Sequence, residues 1–148
     1  MIRPYRIDDT DALVEVWRAA TALAHPFLPD TFVQQEAHNL RHIYFPNAES
    51  WTCEVGGKAV GFIAMLGDEI GGLFLDPALH GQGLGRKMVD HIRKDRPGLR
   101  VEVFARNAVG RRFYHAYGFC EVRRYQHEGS GEITLCLELP APELPEEH

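Results

Sequence analysis

The sequence lacks most of the features that mark membrane, secreted or metal-dependent proteins. No apolar run approaches the ~20 residues that a membrane span needs, and no signal-peptide-like apolar region opens the chain. The only cysteines are Cys53, Cys120 and Cys136, with no Cys-x-x-Cys pair to support zinc or redox chemistry. Because each cysteine lies in a strand-like run, we expect buried, reduced thiols in a cytoplasmic protein without a membrane partner.

An excess of positive charge is also absent. The 148 residues carry a formal net charge of -5, which argues against a nucleic-acid partner. His38 and His42 are four residues apart, but Asn39 stands where the metalloprotease motif needs glutamate, so we expect no metal site.

A hydrophobic content of 45% is that of a globular protein able to bury a core. We predict one domain over residues 1–139, as a monomer or homodimer, followed by an acidic, proline-rich tail at 140–148.

Periodicity and turn signals predict a mixed α/β fold. Gly56-Gly57 and Gly67-Asp68 are hairpin turn signals, so the strands around them form an antiparallel meander. A helix then separates the third of these strands from an alternating strand at 99–104, which predicts a parallel, right-handed crossover. The predicted helices cover about 10–24, 30–44, 85–96 and 107–117, and the predicted strands cover 1–7, 51–55, 59–66, 69–75, 99–104, 120–125 and 133–139.

The stretch from Leu73 to Val89 carries the clearest functional signal. An apolar strand ends at Pro77, a turn containing Gly81, Gly83 and Gly85 follows, and an apolar helical stripe begins at Leu84. Free N–H groups of such a turn and of the first helical turn converge on one place, where the helix dipole adds partial positive charge. We therefore predict a binding site for a phosphate or pyrophosphate.

Two common phosphate motifs do not fit this turn. A nucleoside-triphosphate loop needs a Lys-Ser/Thr pair, which is missing. A dinucleotide fingerprint beginning at Gly81 needs glycine where Arg86 stands. The turn instead resembles the acyl-CoA pyrophosphate loop of the Gcn5-related N-acetyltransferase (GNAT) family, Arg/Gln-x-x-Gly-x-Gly/Ala, in which His80 replaces the usual Arg or Gln.

A second stretch, Asn107 to Phe119, strengthens the resemblance. It is similar to the family's Asn-x-x-Ala-x-x-Phe-Tyr-x-x-x-Gly-Phe, with Gly110 in place of the usual alanine. Asn107 is a good helix cap, and Gly118 is a fitting stop. From helical spacing we expect Phe113, Ala116 and Tyr117 to face the core and Tyr114 to point about 100° away from them.

The resemblance implies the GNAT fold, a central mixed and mostly antiparallel sheet with one splayed parallel strand pair, flanked by about four helices. It implies acetyl-CoA as cosubstrate and transfer of the acetyl group, by direct attack, to a primary amine of a small molecule, peptide or protein. Tyr114 would donate a proton to the departing thiolate. The implied acetyl-CoA-binding residues are Phe74, Leu75, His80, Gly81, Gln82, Gly83, Leu84, Gly85, Arg86, Lys87 and Asn107.

The acceptor side is less defined by the sequence. The acceptor would enter over residues 17–29, and the candidate acceptor-binding residues are Trp17, His25, Phe27, Glu69 and Glu102. Glu69, Glu102, His25 and a water relay are all open as the general base. The alternative functions are a non-catalytic acyl-CoA-binding module, an acyltransferase for longer acyl groups, and an α/β protein that binds a phosphate-sugar or a nucleotide and shares only the glycine turn.

Overall fold

The structure, a computed structural model, describes residues 1–141 and has a mixed α/β architecture around one seven-stranded sheet. The strand order in the sheet is β1-β2-β3-β4-β5-β7-β6. The strands are β1 Ile2–Pro4, β2 Glu49–Val55, β3 Lys58–Leu66, β4 Glu69–Leu75, β5 Leu99–Phe104, β6 Cys120–Gln126 and β7 Ile133–Leu139.

One strand pair is parallel, and it separates almost at once. All other neighbouring strands are antiparallel, whereas β4 and β5 run parallel and pair only at Glu69 with Arg100 and at Ile70 with Val101. Beyond Ile70 the two strands diverge, so the sheet opens along the rest of β4. The predicted meander, crossover and splayed parallel pair are confirmed.

Helices cover both faces of the sheet. Met88, Val89 and Ile92 of one helix pack with Tyr114 into the larger core on one face. Leu13 and Trp17 pack with Phe62 into the smaller core on the other face. The helices are α1 Thr10–Ala24, α2 Asp30–Asn39 with a π-helical turn at Leu40–Tyr44, the short α3 Phe45–Asn47, α4 Leu84–Arg93 and α5 Ala108–Tyr117, with 3₁₀ turns at Ile7–Asp9 and Pro77–Leu79.

The predicted orientation of α5 is confirmed for Phe113 and Tyr117, which pack against the larger core, and is wrong for Ala116 and Tyr114. Tyr114 is the buried residue of this helix, while Ala116 is exposed and Phe113 and Tyr117 are half-buried. The reason is that α5 has two neighbours. Phe113 packs so closely against the start of α4 that a Cβ added to Gly85 would lie 3.0 Å from its ring. Because Phe113 faces α4, the next residue, Tyr114, faces the sheet.

The prediction of three buried thiols is also wrong in one case. All three cysteines are free, and Cys53 and Cys136 are buried, but Cys120 is exposed. Cys120 begins β6, which is an edge strand of the sheet and exposes most of its residues. An apolar strand pattern does not reveal whether the strand lies at an edge.

Three further expectations concern a membrane span, a metal site and the C-terminal tail. Within residues 1–141, no helix is long and apolar enough to cross a bilayer, and no three-ligand His/Cys/Asp/Glu group stands ready for a metal ion. Residues 142–148 of the predicted tail lie outside the described part of the chain.

Asp9 anchors the N-terminal edge of the sheet. Its carboxylate accepts two 2.8 Å hydrogen bonds from the Arg3 guanidinium and further bonds from the Arg6 N–H and the Thr52 hydroxyl. Both Asp9 and Arg3 are 8% exposed. The hydrogen bond from Arg3 is the main reason that the pKa of Asp9 falls from its ordinary value of 3.8 to about 2.

We predict that Asp9→Asn destabilises the protein by about 2–4 kcal/mol at pH 7, because the buried guanidinium of Arg3 loses the closer of its two carboxylates and keeps only Glu54, at 3.2 Å. The lowered pKa means that the stabilisation by Asp9 is fully present above pH 4–5 and is lost as the pH falls towards about 2. The difference in free energy of unfolding between wild type and Asp9→Asn, measured in urea, should therefore shrink from pH 5 to pH 2.

Asp8→Asn is the matched control, since Asp8 is an exposed neighbour of Asp9. This variant should unfold like wild type at pH 7. An equal loss of stability in both variants, or a pH-independent loss in Asp9→Asn, would contradict the assigned network.

Candidate active site

The main cavity lies where β4 and β5 diverge. Its volume is about 930 Å³, and both strands, the C-terminal half of α1, the first turn of α4 and one side of α5 along its length line it. Gly71 to Leu75 face the cavity along β4, opposite Val101 to Phe104 of β5. The opening of the sheet therefore forms a cleft that is continuous between its two faces.

The side of β4 that faces this cleft has no strand partner beyond Ile70. The register of β4 against β3 shifts at Gly71, which is an extra residue between the pairs Met65–Ile70 and Ala64–Gly72. Such a bulge changes which way the following backbone groups point. The unpaired N–H and C=O groups from Gly71 to Leu75 form an edge to which an extended, amide-containing ligand is able to add.

The predicted phosphate turn follows β4 directly. The Asp76 carboxylate accepts a hydrogen bond from the Ala78 N–H, and the 3₁₀ turn Pro77–Leu79 leads to Gly81 and Gly83. Both glycines have left-handed backbones, with φ of 81° and 80°, which a side chain strongly disfavours. Gly83 is the N-cap of α4, so the free N–H groups of the first turn of α4 point out of the helix end towards the cavity.

The side chains of the turn divide into those that reach the cavity and those that do not. Arg86 lines the cavity, and its guanidinium carbon lies 4.8 Å from the centre of the Tyr117 ring. His80 also lines the cavity, but its Nε2 lies 3.3 Å from the Leu75 carbonyl oxygen, so its imidazole bonds to the end of β4. Gln82 and Lys87 do not line the cavity, although the sequence predicted that they would bind acetyl-CoA.

Most predicted site residues come together around this cavity. Phe27 does not line it and packs beside it against the rings of His25 and Phe104. The predicted residues that line the cavity are Trp17, His25, Glu69, Phe74, Leu75, His80, Gly81, Gly83, Leu84, Gly85, Arg86, Glu102, Asn107 and Tyr114.

Asn107 joins α5 to the end of α1. Its Oδ1 accepts a 2.8 Å hydrogen bond from the Gly110 N–H and caps α5, and its Nδ2 donates to His25 Nε2 at 3.0 Å. Burial lowers the pKa of His25 to about 4, so the imidazole is neutral at pH 7 and is able to accept this bond. One N–H of the Asn107 amide remains for a ligand.

Tyr114 supplies a phenol in an apolar wall. Its residue is 7% exposed and lines the cavity, and its hydroxyl makes no hydrogen bond within the described chain. Burial raises the pKa of Tyr114 above that of an ordinary tyrosine. The hydroxyl therefore stays protonated at every physiological pH.

The cavity lining also carries carboxylates. Glu36, Glu69 and Glu102 line it, whereas Arg86 is the one Lys or Arg among the described lining residues. Glu102 Oε2 accepts a 2.6 Å hydrogen bond from the Tyr125 hydroxyl, which raises the pKa of Tyr125 to about 12. Arg86 thus lies at the turn that follows β4, whereas Glu69 lies at the start of β4 and Glu102 two residues past the Glu69–Arg100 pair.

Several residues around these carboxylates were not found from the sequence. Tyr125 reaches Glu102 only because β6 pairs with β7 and β7 pairs with β5. Glu36 accepts a hydrogen bond from the Tyr44 hydroxyl, and both residues reach the cavity only because of the way α2 packs. Thr21 is the exception, because it lies four residues from both Trp17 and His25 on one side of α1. That spacing is a signal that sequence analysis has available.

Comparison with known proteins agrees with this geometry. A family model described as the acetyltransferase (GNAT) domain matches residues 46–121. The peptidyl-lysine N-acetyltransferase YjaB of Salmonella typhimurium is 30% identical over 142 residues, which cover 95% of this chain and 97% of that protein. The peptidyl-lysine N-acetyltransferase YiaC of Escherichia coli is 29% identical over 120 residues, covering 80% and 82%. The solution structure of apo-form YjaB from Escherichia coli matches with a TM-score of 0.84 at 28% identity, covering 93% and 95%.

A splayed parallel pair with a glycine turn at its end lies in a fold that matches a solved acetyltransferase-family structure over nearly the whole chain. The chain belongs to the GNAT family of acetyltransferases. The family, the fold and acetyl transfer from acetyl-CoA, all predicted from the sequence, are confirmed.

We predict that Gly83→Val weakens acetyl-CoA binding at least tenfold. Valine at φ 80° strains the N-cap of α4, and its side chain enters the space in front of the free N–H groups. Isothermal titration of the folded variant measures the change. Gly56→Val is the matched control, because Gly56 also has a positive φ of 58° but lies in the β2–β3 turn. Equal affinity in wild type and folded Gly83→Val would remove the turn from the binding site.

Proposed function

We propose that this protein acetylates lysine side chains of peptides or proteins, with acetyl-CoA as the acetyl donor. The observation that carries the proposal is the polarity of the cavity, in which glycine N–H groups and Arg86 lie at the turn after β4, while Glu69 and Glu102 lie towards the start of β4 and Glu36 is also in the lining. A polyphosphate fits the turn, and the ammonium group of an approaching lysine fits the carboxylates. The names of the relatives, both peptidyl-lysine N-acetyltransferases, support the same acceptor.

The aromatic rings of the cavity also suit a lysine side chain. Trp17 packs edge-on against Phe74 at 6.4 Å, and Phe32 and Phe104 both approach the ring of His127. A lysine has an apolar stem of four carbons and a charged tip, so a cavity that has both aromatic rings and carboxylates in its lining complements both parts. An N-terminal α-amine has no such stem.

In the proposed complex, the pyrophosphate of acetyl-CoA lies on the turn from Gly81 to Arg86. The pantetheine arm runs along the open edge of β4, and backbone N–H groups there hold the thioester carbonyl. These N–H groups are fixed in place by the pairing of β4 with β3, so they stabilise developing negative charge without reorganising. The bulge at Gly71 changes the direction of these N–H groups at the residue where β4 begins to separate from β5.

Glu102 is the best placed candidate for the base. It lies on β5 past the last β4–β5 pair and lines the cavity, and the Tyr125 hydroxyl orients its carboxylate. The backbone of Glu69 pairs with that of Arg100, so Glu69 lies where the two strands are still joined, at the closed end of the cleft. His25 has a pKa of about 4, so it is a poor acceptor for a proton from an amine. Its hydrogen bond with Asn107 suits it instead to positioning the Asn107 amide. We therefore assign Glu102 the role of taking the amine proton, directly or through water.

Tyr114 is assigned the role of proton donor. After the neutral amine attacks the thioester carbon, the carbon–sulfur bond breaks and a thiolate leaves. The buried phenol is protonated and aimed into the cavity, so it is able to give its proton to that sulfur.

The acceptor is tested with one peptide in two forms. An N-terminally blocked peptide with a single internal lysine is compared with the same peptide carrying arginine at that position and a free N-terminus. Thiol release and mass spectrometry should show acetylation of the lysine form at least tenfold faster, with acetyl-CoA preferred over longer acyl-CoA. Faster acetylation of the free N-terminus would contradict the lysine assignment. Binding of acetyl-CoA with no turnover on any amine would favour a non-catalytic module.

We predict that Tyr114→Phe lowers kcat about 10- to 100-fold, because thiolate departure loses its proton donor. The dissociation constant for acetyl-CoA should change less than twofold, since the ring and its packing remain. Tyr117→Phe is a matched control, because Tyr117 also lines the cavity but its hydroxyl bonds to Asp90. Full activity in Tyr114→Phe would exclude this residue from proton transfer.

A further inference from the structure

Two loops that are far apart in the sequence meet at the end of β5. One is the loop between α1 and α2, residues 25–29, and the other is the hairpin between β6 and β7, residues 127–132. Phe104, the last residue of β5, contacts both of them from inside the cavity. Its ring lies edge-on to that of Phe27 at 6.0 Å and to that of His127 at 5.8 Å.

Arg106 joins the same two loops from outside the cavity, which it does not line. Its guanidinium carbon lies 4.1 Å from the centre of the Phe27 ring. Its Nε and Nη2 donate hydrogen bonds of 2.7 and 2.6 Å to the two carboxylate oxygens of Glu132. One planar group therefore uses its face to contact the first loop and its edge to bind the second.

Both contacts of Arg106 lead to rings in the cavity wall. The His127 N–H donates to the Glu132 carbonyl oxygen at 2.8 Å, so the hairpin links the bound carboxylate to an imidazole that lines the cavity. On the other loop, the ring of Phe27 lies 5.8 Å from that of His25, which also lines the cavity. A change at either contact would therefore shift a wall of the cavity.

We propose that Arg106 is a positioning residue for the acceptor, because it fixes the distance between the two loops and so the width of the acceptor entrance. This inference rests on the proposed function, which places the lysine side chain among the rings of Phe32, Phe104 and His127. A guanidinium suits this role, since it stacks on a ring and binds a carboxylate through two bonds at the same time. An exposed ion pair adds little to stability, so the effect falls on the entrance and not on the fold.

Arg106→Ala tests the role through the separate values of KM and kcat. The KM for the lysine peptide should rise about 3- to 10-fold, while kcat and the dissociation constant for acetyl-CoA should change less than twofold. Loss of a positive charge beside the entrance would by itself favour a cationic acceptor and lower KM. A raised KM therefore reports the positions of the loops and not the change of charge.

Two further variants complete the comparison. Arg106→Lys keeps the charge but cannot stack on Phe27 and form both bonds to the carboxylate, so its KM should also rise at least threefold. Arg124→Ala is the matched control. Arg124 also has a 58% exposed side chain and a 2.6 Å ion pair, with Glu121, but it lies on β6 and does not line the cavity. Its variant should have the KM of wild type.

Amide hydrogen exchange in the ligand-free protein measures the loops directly. In Arg106→Ala, the amides of residues 25–29 and 127–132 should exchange at least threefold faster than in wild type, and those of the turn from Gly81 to Arg86 at the same rate. This measurement needs no acceptor, so it separates a wrong role for Arg106 from a wrong acceptor. KM is measured for whichever form of the peptide, lysine or free N-terminus, is acetylated.

Any of four results would overturn the assignment. Unchanged exchange in both loops would show that Arg106 does not hold them. An unchanged or lowered peptide KM in Arg106→Ala would show that the entrance does not depend on this residue. An equal rise in KM for Arg124→Ala would indicate a general effect of surface charge. An equal loss of acetyl-CoA affinity in Arg106→Ala would place the effect at the neighbouring Asn107, on the cosubstrate side.

Discussion

The separation of β4 from β5 after two residue pairs is the constraint on which the site depends. It leaves the backbone of Gly71 to Leu75 without a partner on one side, in a sheet where every other neighbouring pair is more extensive. Unpaired backbone groups of this kind are costly inside a protein unless water or a ligand satisfies them. The free backbone groups of β4 are therefore able to bond to an extended ligand in the way that they would bond to another strand.

The same separation brings the remaining parts of the site together. The glycine turn that begins α4 follows β4, and the Asn107 cap that begins α5 follows β5, so two helix starts stand at the mouth of one cleft. On the opposite face, α1 crosses the gap and contributes Trp17, Thr21 and His25. In the proposed complex, Arg86 would contact the phosphates and Glu102 the acceptor amine, so that charge orients the two substrates, and Tyr114 is neutral in the apolar wall of the cavity.

The sequence predicted best what is encoded by neighbouring residues. The strands Glu69–Leu75 and Ile133–Leu139 and the glycine turn were predicted with their observed bounds, because alternation, turn residues and glycine act locally. Features that depend on how distant elements pack were missed. Tyr114 was predicted to point away from the core, but it is buried because α4 packs beside α5. Cys120 was predicted to be buried, but it is exposed because its strand lies at an edge of the sheet. Glu36 and Tyr125 reach the site only through packing and strand register, which no local pattern records.

Amide hydrogen exchange, resolved by residue and measured with and without acetyl-CoA, tests the central claim most directly. If the arm of acetyl-CoA completes the sheet, the amides of Gly71 to Leu75 that face the cleft should exchange markedly more slowly in the complex, together with those of the turn from Gly81 to Arg86. Slower exchange at the turn alone, with β4 unchanged at saturating acetyl-CoA, would contradict the account of β4 as an open edge for the cosubstrate.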